Sequence, residues 1–132
     1  MTFAYLLHLA TMLGINMILA LSLQLTMGIT GLVNLGHIAF FAIGSYTSAL
    51  LTLHGMPFTG AMFVSALLAG LAGLLLGVFT QRIKADYLAL ATLAFSYLVH
   101  ALLLNTHSFT NGPLGLANIT KPIIFGFQVG AN

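Results

Sequence analysis

The side chains with chemical potential in this chain are few, and most of them interrupt stretches that are otherwise apolar. Asn16 and Gln24 lie in a first apolar run, Asn34 and His37 open a second, and Tyr97 and His100 lie in a fourth. Each is a hydrogen-bonding group that needs a partner or water wherever it is buried in lipid. One reading is hydrogen bonding between helices, worth about 0.6–2 kcal/mol per group. The other is a polar route through the protein, because polar groups at membrane depth mark substrate pathways. Asn34 and His37 favour the route: Gly31 and Gly36 flank them, and a broken helix there exposes backbone groups that only a cavity or protein can shelter.

Catalytic chemistry has little to work with. Asp86 is the one carboxylate, so no acid/base pair exists, and His8, His37, His54, His100 and His107 are too scattered for a metal-binding spacing such as HExxH. "NGPLG" (Asn111–Gly115) lacks the lysine and following helix of a phosphate loop. With no cysteine, thiolate metal sites, thiol nucleophiles and disulfides are excluded. We expect no catalytic residue, no metal and no cofactor.

Composition identifies what must position these groups. Of 132 residues, 60% are hydrophobic and 3% charged, and mean hydropathy is +1.10; soluble domains are about 25% charged. The chain therefore reads as an integral membrane protein. Its four charged residues, Arg82, Lys84, Asp86 and Lys121, fall outside the apolar runs, as expected if an Arg, Lys or Asp at mid-bilayer costs about 2.5–3.5 kcal/mol. They form no clustered basic face of the kind that nucleic-acid binding needs.

The apolar runs are Phe3–Met27, Leu32–Leu53, Phe58–Phe79 and Tyr87–Leu104. Each is close to the roughly 20 residues that cross a hydrocarbon core of about 30 Å as helix, and none alternates as a barrel strand does. The expected fold is all-α: a polytopic transmembrane bundle of about four helices, the second broken near its start. No Lys or Arg precedes the first run, which argues for a retained helix rather than a secretory signal. The connections are "GITG" (Gly28–Gly31), "HGMP" (His54–Pro57) and "TQRIKAD" (Thr80–Asp86). Residues Asn105–Pro122 are polar and turn-rich and read as an external loop; the tail "IIFGFQVGAN" starts an apolar segment too short to span.

Arg82 and Lys84 form the only compact positive cluster, which the positive-inside rule puts in the cytoplasm. The N-terminus and the Asn105–Pro122 loop then face outward. Arg82 and Asp86 also have the spacing of an i,i+4 pair. Small residues supply packing faces, since helices in lipid associate through close approach: Ala69, Gly73 and Gly77 line one face of the third helix, and Gly36, Gly44 and Ser48 one face of the second.

Three stretches together resemble a known family. "NLGHIAFFAIGSYTSALL" (Asn34–Leu51), "IKADYLALATLAF" (Ile83–Phe95) and "TNGPLGLANI" (Thr110–Ile119) are similar, in order and spacing, to the permease subunits of branched-chain amino acid ABC transporters, of the LivM type. The sister LivH type has Ala-His-Gly near Gly36, His37 and Ile38, and urea-type ABC permeases share much of the pattern. Many members carry an acidic residue and an arginine where this chain has Tyr97 and His100. The resemblance runs from about Ile18 to Phe127 and covers less than half of a complete permease, so residues 1–132 are expected to form part of one transmembrane domain.

The resemblance implies a multi-pass permease of the bacterial plasma (inner) membrane that imports hydrophobic amino acids by alternating access. It implies ATP-binding subunits that hydrolyse ATP, a sister permease subunit and an external solute-binding protein. Asn34, Gly36, His37, Tyr97 and His100 are the candidate pathway residues. A permease for another small solute such as urea, and a non-transporting scaffold docking through its glycine faces, are the alternatives; an enzyme subunit fits the single carboxylate poorly.

Overall fold

A computed structural model describes residues 2–117, 119, 123–124 and 127–128. It contains four long helices: α1 (Thr2–Thr30), α2 (His37–Leu53), α3 (Phe58–Thr80) and α4 (Ala85–Asn105). One further turn of helix, α5 (His107–Thr110), and a 3₁₀ turn (Gly112–Leu114) follow. Two two-residue strands, Ile123–Ile124 and Phe127–Gln128, pair antiparallel within the apolar tail. Lys121 and Pro122 at the end of the expected outer loop lie outside the described residues. The class is the all-α bundle expected from the apolar runs. α1, α3 and α4 are long and apolar enough to cross a membrane, and α2, with 17 residues, is shorter.

The boundaries differ from the sequence reading where backbone chemistry overrides composition. α1 does not stop at Gly28. Thr26 and Thr30 donate their hydroxyl protons to carbonyls one turn back, at Ser22 and Thr26, and the helix continues until Gly31, whose φ of +66° is left-handed. There the Gly31 N–H bonds to Met27 O at 3.0 Å, a glycine stop. α2 starts at His37, five residues later than the apolar run, because residues 31–36 are not helical. At about 1.5 Å per residue its 17 residues reach roughly 25 Å, short of a hydrocarbon core of about 30 Å.

α2 ends in a Schellman motif: the Gly55 N–H bonds to Thr52 O and the Met56 N–H to Leu51 O, each at 3.1 Å, with Gly55 at φ +87°. Pro57 then caps α3. α4 begins at Ala85, earlier than Tyr87, and Asp86 lies in its first turn, where a negative charge suits the helix dipole. Arg82 lies in the turn before α4, so Arg82 and Asp86 are not the i,i+4 helical pair that their spacing suggests.

α2 is the hub, packed mostly on α3 and next on α4. Among the described residues the buried ones are small: Gly36, Ala39, Ala61, Ser65, Thr92 and Gly112, together with Val99 and Thr110. Among the described residues no large side chain is fully buried, and most big apolar side chains are exposed. That inversion belongs to helices whose solvent is lipid, where burial drives no association and backbones must approach closely.

Candidate functional site

The irregular segment 31–36 is held at two points. Asn34 Oδ1 accepts the Gly36 N–H at 3.0 Å, an Asx turn that replaces the missing helical bond. Thr92 Oγ1 on α4 accepts the Leu35 N–H at 3.1 Å and shares its own proton between Leu88 O and Ala89 O, both at 3.0 Å. Gly36 is buried in this contact: a Cβ there would lie 2.8 Å from Thr92 O and 3.3 Å from Thr92 Cβ. The glycine is thus required by close backbone approach, and it lines neither of the clefts described next.

The segment separates two open clefts. One, of 420 Å³, is lined by Thr26, Thr30, Asn34, His37, Phe40, Gly73, Gly77, Thr80 and Thr92, among others. It sits where α1 ends, α2 begins, α3 ends and α4 begins, the end of the bundle that carries Arg82 and Lys84. The other, of 360 Å³, lies between α2 and α4 and contains Tyr97, His100 and Ser96 against apolar neighbours such as Leu35 and Leu103. The structure therefore brings Asn34 and His37 together and puts Tyr97 and His100 on the other side of the segment.

His37 Nε2 is hydrogen-bonded to Ser22 Oγ at 2.9 Å. This bond joins α2 to α1, which has no buried residue. Within α1 the Asn16 amide donates to Met12 O at 2.8 Å, and Gln24 is exposed and lies over Gly28.

The small-residue faces divide as well. A Cβ on Gly44 would touch Ala69 Cβ at 4.0 Å, and one on Gly73 would touch the Phe40 ring at 3.9 Å. Phe40 in turn packs on Phe95, with ring centroids 5.5 Å apart. Ser48 is half-buried and its carbonyl accepts the Thr52 hydroxyl. Gly77 has nothing within 4 Å of a Cβ position and opens the cleft wall instead. Among the described residues no cluster of metal-binding side chains occurs.

Sequence reasoning missed the threonines. Thr26, Thr30, Thr80 and Thr92 are the hydroxyls of the first cleft and its anchor, yet a threonine that bonds back to its own helix leaves no trace in hydropathy. The visible signal was Thr92's place inside "ATLAF" and the position of the others beside glycine-rich helix ends.

Comparison with known proteins supplies a family. The model of the "branched-chain amino acid transport system / permease component" family matches residues 5–130. The high-affinity branched-chain amino acid transport system permease protein LivM of Escherichia coli K12 is 43% identical over 120 residues, 90% of this chain and 28% of that protein. LivM of Salmonella typhimurium LT2 matches with the same identity and coverage. The chain thus spans just over a quarter of the length of these curated relatives. No solved structure matches it.

Proposed function

The chain belongs to the permease-component family of branched-chain amino acid transport systems, and from that premise we propose that it forms the N-terminal part of a permease subunit that imports branched-chain or related hydrophobic amino acids. The observation that carries this reading is the 43% identity over 90% of the chain to LivM. The apolar helices support a multi-pass membrane protein, here the bacterial inner membrane.

The proposed mechanism is alternating access. Solute arrives from an external binding protein, a sister permease subunit completes the pathway, and separate ATP-binding subunits on the Arg82/Lys84 side hydrolyse ATP. The chain's own contribution is a bundle with no charged side chain in either cleft lining, broken by the pinned segment 31–36. Asn34 and His37 line the pathway at its inner end, and Tyr97 and His100 line it beyond the segment. Gly36, Gly44 and Ala69 let the helices approach.

The test is uptake. Deleting the complete gene should abolish ATP-dependent accumulation of radiolabelled leucine, isoleucine or valine, and the complete gene product should co-purify with two ATPase subunits and restore uptake in proteoliposomes. Undiminished uptake of all three in the deletion strain overturns the reading.

A further inference from the structure

At the end of the bundle away from Arg82 and Lys84, the chain leaves α4 through a compact turn formed by α5 and the 3₁₀ turn. This turn is tied to the helix that it follows. Thr110, only 4% exposed, shares its hydroxyl proton between Leu103 O and Thr106 O, and its oxygen accepts the Gly112 N–H at 3.4 Å. The Leu114 and Gly115 N–H groups bond back to Asn111 O and Gly112 O at 3.3 and 3.2 Å. Asn111, Gly112 and Gly115 all hold left-handed φ values, so the turn cannot swing as an ordinary loop does without giving up these bonds. Fixed in this way, it presents Phe109 at 64% exposure and Leu114 at 86%, the most exposed large apolar side chain among the described residues. Their neighbours His107, Ser108 and Asn111 are polar and exposed.

Three observations identify what covers this pair. The 21 residues of α4 rise roughly 30 Å, the thickness of a hydrocarbon core, so the turn starts where acyl chains give way to headgroups. Leu98 and Leu102, each 59% exposed, carry the lipid-facing surface of α4 up to the turn, and Phe109 and Leu114 continue it. Between Asp86 and Lys121 the sequence has no charged residue, whereas a face that docks a soluble protein uses charge to steer the encounter and fix its register. An exposed apolar patch rimmed by neutral polar groups suits a membrane surface, where the apolar side chains leave water and the polar ones keep it. We propose that this turn is a membrane-interface anchor. Phe109 and Leu114 insert among the acyl chains of the bilayer surface at this end, and through Thr110 they hold the end of α4 at that depth. The inference rests on the membrane-spanning bundle and not on the identity of any solute.

The test uses the complete protein, purified with its partner subunits and returned to phospholipid nanodiscs, with every cysteine but the introduced one replaced. Nitroxide labels on Phe109→Cys and Leu114→Cys are read by power saturation with oxygen, which concentrates in lipid, and with a nickel chelate, which stays in water. Leu98→Cys, on the exposed surface of α4, serves as the lipid reference. At 109 and 114 oxygen should reach the label severalfold better than nickel does, as it does at 98. Because Leu114 is 86% exposed, its replacement removes little packing and keeps the test open if Phe109→Cys fails to fold. Nickel accessibility above that of oxygen at either position puts the turn in water and overturns the anchor. Low accessibility to both reagents means that protein covers the pair, and nickel accessibility that is lost only on adding the external binding protein gives the face to that partner; each of these results also overturns it.

Discussion

The Thr92 hydroxyl on α4 accepts the Leu35 backbone N–H at 3.1 Å, joining positions 57 residues apart. This bond supports the irregular segment between the long α1 and the shorter α2, in an apolar setting where an unpaired backbone group is expensive. Thr92→Val removes the acceptor and should destabilise the protein by about 1 kcal/mol, the net worth of a part-buried hydrogen bond. Thr92→Ser should stay close to wild type. The melting temperatures of the two variants in detergent check this: a valine variant as stable as the serine one removes the pin.

Gly36 and Gly77 should respond in opposite ways to alanine. At Gly36 the added Cβ meets the Thr92 backbone at 2.8 Å, and overpacking of this kind costs about 1–3 kcal/mol. Gly77 is helical with open space around it, so alanine should be neutral or stabilising by up to about 1 kcal/mol. The same melting measurement reads both.

The contact of α2 with α3 can be trapped directly. Gly44 and Ala69 would bring Cβ atoms to 4.0 Å, within the range of about 3.5–4.5 Å that a disulfide needs. The chain has no cysteine of its own. Gly44→Cys with Ala69→Cys should therefore cross-link under mild oxidation, and after cleavage at a protease site inserted at Gly55–Met56 the two fragments should stay joined on a non-reducing gel.

Beyond α4 the chain turns through three left-handed residues: Asn111, Gly112 and Gly115. A Cβ on Gly112 would also lie 2.5 Å from His107 Nδ1. Gly112→Ala should open the turn, seen as faster cleavage by protease added outside, whereas Asn111→Gly should leave it closed because glycine accepts that conformation freely.

The orientation reads on Arg82 and Lys84. With Gln81→Cys, in the same turn, as the sole thiol, an impermeant maleimide should label inside-out vesicles and spare right-side-out ones. The reverse pattern would place this turn outside.

The membrane class, the helical fold and the approximate spans were legible in the sequence, because hydropathy summed over about 20 residues is a bulk property that no single contact overturns. Glycine and proline chemistry marked the connections, and the stretch Asn34–Leu51 already carried both the family resemblance and the suspicion of a break. What tertiary structure alone decided was the use of each polar atom. Whether Gly36 packs or lines a path depends on Thr92, which is remote in sequence; Asn34 turns its oxygen to the backbone because the Gly36 N–H lies within reach; and whether Gly77 packs or opens a wall depends on how α2 and α3 meet. Composition records that a hydrogen-bonding group is present, but which of its atoms stays free is settled only when the neighbouring backbone has taken the others.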